Sequence, residues 1–235
     1  MCLGAPGGEG CVVTGRVLVP LYVHPAEDPA AWSALARDPS ELYGVVLNVA
    51  DGPGAVRDRA YVAAACLLRA AGVPVLGYVD VAYGRRPVRA VVADVCRHRA
   101  WYRVDGVFLD QAPAGAGLVR RCRRLVRAAR ALGAGRVVLN HGVHPDPGYA
   151  AVADLLVTFE GPWEVYRRAA TPGWARDHRA GRLGHLVYGV PEQAAPLVAR
   201  TAAERGAVVH CAVPGAGANP WCSPPTAYLT GRRPG

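Results

Sequence analysis

The sequence predicts a single (β/α)₈ TIM barrel, a closed ring of parallel strands alternating with helices. Three observations carry the prediction. Eight short, β-branched apolar runs recur along the 235 residues. Segments with helical periodicity separate most of them, and no glycine-rich phosphate loop follows any of them. Unbroken apolar runs suit strands buried on both faces, as in a parallel sheet walled by helices.

The first run is Arg16 to Val23 (RVLVPLYV), followed by Val45 to Val49, Val73 to Val79 and Val104 to Leu109. Arg136 to Leu139, Leu155 to Phe159, Leu186 to Tyr188 and Ala207 to Val213 complete the set. Helices are expected over Ala30 to Arg37, Asp58 to Ala71, Val88 to Tyr102, Leu118 to Leu132 and Ala194 to Arg205. Gly72, Gly133 and Gly206 stand just past three of these, where a left-handed C-terminal cap favours glycine. After the fifth and sixth strands no helix is evident, and Thr171 to Arg182 reads as a loop. The open doubly wound sheet is the alternative, but strand one ends in Tyr22-Val23-His24-Pro25, with neither GxxxxGK[ST] nor GxGxxG. One barrel domain over 15–235 is expected, preceded by a flexible glycine-rich segment, 1–14.

Apolar residues make up 51% of the chain, which excludes disorder and supplies a core. The net charge of +9 invites a nucleic-acid reading. However, all 27 basic side chains are arginine, beside abundant Ala, Gly and Pro, the pattern of a high-GC genome. The densest run, Arg120, Arg121, Arg123, Arg124 and Arg127, lies on one helix and reads as a solvated flank. No nucleic-acid partner is therefore expected. Seven cysteines without a CxxC spacing suit a reducing compartment, with Cys66, Cys96 and Cys122 expected to be buried in helices and a Cys211–Cys222 pairing left open. With no signal-like start and no apolar run of about 18 residues, a soluble cytoplasmic protein with no membrane partner is expected.

In such a barrel, reactive groups come from the C-terminal ends of the strands. Here those ends carry Tyr22 and His24; Asn48 and Asp51; Tyr78, Asp80 and Tyr83; Asp110 and Gln111; Asn140 and His141; Glu160 and Trp163; His185 and Tyr188; and Asn219 and Trp221. Singly, each has an ordinary explanation. Asp51 before Gly-Pro-Gly suits a turn, and His141, His144 and Asp146 fit a Pro/Gly loop better than a metal site, so neither metal nor cofactor is expected. Together they converge. Asp110 and Glu160 each directly follow an apolar run, two strands apart, as a carboxylate pair flanking a glycosidic bond requires. Trp163, Tyr83 and Trp221 could stack on sugar rings, and Asn48, Asn140 and His141 could bond hydroxyls. A carbohydrate is the expected ligand.

Several segments resemble spherulation-specific family 4, the spherulin-4-like proteins. They are PLYVHP (Pro20 to Pro25), LNVADGPG (Leu47 to Gly54), GYVDVAYGRRP (Gly77 to Pro87), GVFLDQAP (Gly106 to Pro113), VVLNHG (Val137 to Gly142), ADLLVTFEGPW (Ala153 to Trp163) and NPWCSPP (Asn219 to Pro225). The resemblance implies a (β/α)₈ glycoside hydrolase cleaving an α-1,4-linked galactosaminogalactan, with an Asp-Glu pair after strand four and a Glu after strand six. Asp110 and Glu160 match two of these positions; Gln111 stands where the family's second strand-four carboxylate would be. LNVADGPG also departs from the commoner Asn-Pro form of that loop.

Two functions follow. One is an enzyme acting on an amino-sugar glycan through Asp110 and Glu160, with Gln111 holding the sugar or its acetamido group; a substrate-assisted route is compatible with it. The other is a catalytically silent barrel that binds a sugar or another small ligand, which Gln111 favours.

Overall fold

A stretch of β-branched residues gains most when both faces are covered, and closing a sheet on itself covers the inner face with the strands' own side chains. The computed structural model describes residues 15–177 and 182–225. Its strands are β1 (Arg16–Pro20), β2 (Leu42–Leu47), β3 (Val75–Asp80), β4 (Gly106–Asp110), β5 (Arg136–Asn140), β6 (Leu155–Pro162), β7 (Leu183–Tyr188) and β8 (Val209–Ala212). Each pairs in parallel with the next, and β8 pairs with β1 to close the barrel. Segment 1–14 lies outside the described residues.

Five helices form the wall: α1 (Pro29–Arg37), α2 (Arg59–Ala70), α3 (Val88–Tyr102), α4 (Val119–Ala131) and α7 (Ala195–Glu204). Among the described residues between β6 and β7 there are only single turns, α5 (Trp163–Tyr166) and α6 (Gly173–Arg176), so the expected loop contains one helical turn. Asp28 caps α1 by accepting from the Ala31 amide at 2.9 Å, and Asp58 caps α2 through Ala60 and Tyr61. Gly72, Gly133 and Gly206 take φ of 79°, 84° and 80°, as left-handed caps require.

Strand alternation divides the core. Leu18, Val46, Leu76, Phe108, Val138, Leu155, Val157, Leu186 and Val209 fill the interior, while Val45, Val75, Val107 and Val137 pack against the helices. β2 and β7 each begin three residues before the expected run. Tyr43, Gly44, Gly184 and His185 interrupt the apolar pattern, yet all four fall within strands. Two of the three helical cysteines depart from expectation. Cys66 and Cys96 are exposed on the outer faces of α2 and α3, whereas Cys122 is buried in α4. Cys211 inside the barrel and Cys222 on the surface are free thiols. On α4, Arg120, Arg123, Arg124 and Arg127 are exposed opposite a buried Cys122–Leu125–Val126–Ala129 stripe. Among the described residues no helix is long and apolar enough to cross a membrane.

Three histidines are sealed in this framework: His98 against the Tyr78 carbonyl (2.7 Å), His141 against the Pro113 carbonyl (3.0 Å) and His185 against the Tyr166 hydroxyl (2.9 Å). Burial pushes their pKa values down to about 4, about 4 and about 3. Since these values lie below those of the unfolded chain, the stability they contribute is complete above about pH 6.5 and is lost as pH falls towards 4. Chemical unfolding at stepwise lower pH is expected to show a loss of roughly 1 kcal/mol per histidine per pH unit within that window.

Candidate active site

The inward positions of β3 and β4 are fixed by alternation. Leu76, Tyr78 and Asp80 face the axis on one strand, and Gly106, Phe108 and Asp110 on its neighbour, with Asp80 and Asp110 in register. β6 follows a different rule. From Val157, alternation alone would turn Glu160 outward. The pairing to β7 instead runs Val157 to Gly184 and then Phe159 to His185, leaving Thr158 as the extra residue of a bulge. Beyond it the phase is reversed, and Glu160, opposite the inward-facing Leu186, points into the barrel. Thr158 was not among the residues singled out in the sequence; one bulge residue in an apolar run leaves no compositional mark.

Asp110 and Glu160 meet over β5. Asn140 Nδ2 donates to Asp110 Oδ1 at 2.6 Å and also to Glu160 Oε2. Its own carbonyl accepts from the Gly142 amide at 3.1 Å, which fixes which end of the side chain faces the acids. Tyr78 Oη donates to Asp110 Oδ2 at 2.7 Å, the Gln111 backbone N–H beside the same carboxyl favours its charged form, and Trp221 Nε1 donates to Glu160 Oε1 at 3.1 Å. Burial raises the pKa of both acids; Asp80 adds to the effect at Asp110, and Asp110 adds to it at Glu160. Tyr22 stands edge-on to Tyr78 at 5.9 Å, and its pKa is raised by burial and then by Asp110 and Glu160, so its hydroxyl stays protonated beside the pair.

The other residues singled out divide into two groups. Tyr188 packs edge-on against Trp221 at 5.9 Å, and Asn219 donates to the Tyr22 carbonyl (3.0 Å) while accepting from the Trp221 amide, which clamps the Trp221 loop to β1. Asn48 accepts from the Gly52 amide at 3.1 Å, and exposed Asp51, with φ of 48°, forms the turn, near enough for its charge to act on Tyr22 and Tyr78. Asp80 accepts from the Ala82 amide at 2.6 Å, and Tyr83 is 52% exposed at the rim under Arg85. Gln111 takes a left-handed φ of 51°, and its carbonyl accepts from the Tyr83 amide at 2.7 Å.

Four residues expected at the mouth are placed elsewhere. His24 bonds Asp58 (3.2 Å) and packs edge-on against Tyr61, both of which belong to the start of α2. His141 follows the inward Asn140 and so turns outward onto Tyr149, with ring centroids 4.8 Å apart. His185 lies on the outer face of β7 against Tyr166, and Trp163 is buried with Tyr166, Val187 and Val198 beneath α7. In each case the side chain's phase or the local chain direction points it at the helical layer. Among the described residues no group of three or more His, Cys, Asp or Glu is arranged to hold a metal.

A model of spherulation-specific family 4 matches residues 16–213. The chain belongs to that family. It is 34% identical over 150 residues to spherulin-4 of Physarum polycephalum, covering 62% of this chain but only 44% of that relative's length. Among solved structures, Aspergillus clavatus Sph3 in complex with GalNAc superposes with a TM-score of 0.74 at 26% identity, covering 91% of this chain and 94% of that one. A chitinase from Chromobacterium violaceum shares the fold alone, with a TM-score of 0.50 at 20% identity over 73% of this chain and 68% of its own. The spherulin-4-like chain is therefore structurally similar to Sph3 over nearly its whole length.

Proposed function

We propose that this spherulin-4-like barrel is a glycoside hydrolase that cleaves a glycan containing N-acetylgalactosamine or galactosamine, with Asp110 and Glu160 as the reacting pair. The observation that carries the reading is the single Asn140 amide bonded to both carboxyls at the barrel mouth. The GalNAc bound to the similar Sph3 supports the sugar class.

The hydrogen bonds divide the roles. Asp110 accepts from Tyr78 and Asn140 and has the Gln111 backbone N–H beside it, whereas Glu160 accepts from Asn140 and Trp221 alone. Asp110, with more groups favouring its charged form, keeps its charge and faces the oxocarbenium-like carbon; Glu160, raised by burial and by Asp110, holds the proton for the leaving oxygen. Two oxygens accepting from one nitrogen lie within about 5 Å of each other, nearer the spacing of retaining enzymes than the wider one of inverting enzymes. Retention of anomeric configuration is the expected outcome, read by NMR of the first-formed product.

Removing a donor destabilises the ionised form and raises the pKa of the acid it served. Tyr78→Phe is therefore expected to move the acidic limb of the rate–pH profile up by about one unit, and Trp221→Phe the basic limb by a similar amount. Both substitutions moving the same limb would reject the division of roles.

A second reading, a sugar-binding barrel without turnover, is favoured by Gln111, an amide where a carboxyl would be expected. Product release from partially deacetylated galactosaminogalactan separates the two. Turnover by the wild type supports the hydrolase; silence in the wild type with turnover in Gln111→Glu supports the binding protein.

A further inference from the structure

The side chains that donate to the two acids are held in different ways. Tyr78 and Asn140 stand on β3 and β5, where pairing with the neighbouring strands fixes them. Trp221 lies beyond β8, so no strand register sets its position. Yet among the described residues its indole N–H is the one donor to Glu160 Oε1, while Asn140 serves Oε2.

The segment after β8 is fixed by hydrogen bonds at both ends. At its start the Val213 amide donates to the Val187 carbonyl and the Val213 carbonyl accepts from the Val190 amide, each at 3.0 Å. The Gly189 amide donates to the Gly215 carbonyl at 2.7 Å. A methyl group on Gly215 would overlap the Pro220 carbonyl, so the chain closes tightly on itself between these two residues. At its end the Tyr22 amide donates to the Trp221 carbonyl at 2.7 Å. Two further bonds belong to the Asn219 side chain. Its carbonyl accepts from the Trp221 amide two residues on at 3.2 Å, the pattern of an Asx turn with Pro220 inside it. Its Nδ2 donates to the Tyr22 carbonyl at 3.0 Å. Asn219 is exposed and Trp221 is buried. Water would satisfy the Asn219 amide as well, so what its two bonds add is the placement of Trp221.

We propose that Asn219, bonded to neither acid, is a positioning residue that holds the Trp221 indole against Glu160. Its bearing on catalysis rests on the reading of Glu160 as the proton donor. Loosening the indole withdraws a donor from the charged carboxyl and favours the protonated one. The other groups facing Glu160 are Asp110 from β4, Asn140 from β5, Tyr22 from the end of β1 and Cys211 from β8, and Tyr188 of β7 packs on the Trp221 ring. Of these, Tyr22 is bonded to Asn219, through its backbone carbonyl.

The test is a pH titration of the Glu160 side-chain carboxyl carbon by NMR of the whole chain, with the resonance assigned by Glu160→Gln. Asn219→Ala is expected to raise the midpoint by about half a unit, and Trp221→Phe by about one. The double variant is expected to match Trp221→Phe, because the effect passes through the indole. Asn219→Ser, whose hydroxyl can close the same turn, is expected to recover at least about half of the Asn219→Ala displacement. An Asn219→Ala midpoint within about 0.1 unit of wild type would overturn the proposal. So would a double variant that exceeds Trp221→Phe by the whole Asn219→Ala increment, or no recovery in Asn219→Ser. The titration needs no turnover, so a barrel silent towards glycan leaves these outcomes unchanged. In an active one, the basic limb of the rate–pH profile is expected to move with the midpoint.

Discussion

Replacing Asp110 by Asn, or Glu160 by Gln, is expected to lower glycan turnover by about 10³–10⁴-fold while leaving the fold intact. Each substitution keeps the side chain's shape but removes the charge or the transferable proton. The supporting bonds are also disturbed. In Asp110→Asn one oxygen is replaced by an amide donor, so either the Tyr78 hydroxyl or the Asn140 amide loses an acceptor. In Glu160→Gln the same conflict arises with Asn140 or the Trp221 indole. Both positions are partly open to the barrel mouth, so water can satisfy the displaced donor and the cost to stability stays near 1 kcal/mol. Product release and thermal unfolding of the same preparations separate the two effects. A rate within tenfold of wild type in both variants would remove the pair from the mechanism.

Gly106→Ala carries the largest expected loss of stability. Gly106 opens β4 facing the barrel interior, paired with Arg136 of β5. A methyl group there would stand inside van der Waals contact of the Arg136 carbonyl oxygen and 2.8 Å from Leu76 Cδ2. The main obstacle is backbone, which no rotamer change can move, so β4 and β5 would have to separate. These strands carry Asp110 and Asn140, and the damage would extend to the site. A loss of at least about 3 kcal/mol in urea unfolding is expected. Gly115→Ala is the control: nothing lies within 4 Å of its added methyl, and a change within about 0.5 kcal/mol is expected.

Much of the barrel was legible because strand and helix signals are local. β-branched runs mark strands wherever they pack, and a glycine beyond a helix marks a left-handed cap whatever the tertiary context. The ends of β2 and β7 were missed because Tyr43, Gly44, Gly184 and His185 break the apolar pattern, and neighbouring strands hold them in the sheet regardless. The thiols of Cys66 and Cys96 were misplaced because a helix presents each residue type on either face, and only packing selects the buried one.

The site follows the same division. Asp110 was readable as inward because an unbroken alternation from Gly106 carries it there. Trp163, His24 and His141 stand at strand ends in the sequence and His185 beside the seventh run, yet the structure turns all four to the helical side. A strand end supplies both faces, and residue type does not choose between them. Asn140 was expected to bond a sugar hydroxyl; its place between the two acids depends on β4, β5 and β6 lying side by side.

By itself, then, the sequence determined the ring of strands, the end of the ring that bears the polar residues, and Asp110 among them. It also placed Glu160 at that end, but only the tertiary structure decided that the Glu160 side chain turns inward beside Asp110. That inward turn depends on Thr158 being left out of the pairing between β6 and β7. A bulge is chosen by the register between two strands, so no local pattern in either strand records it.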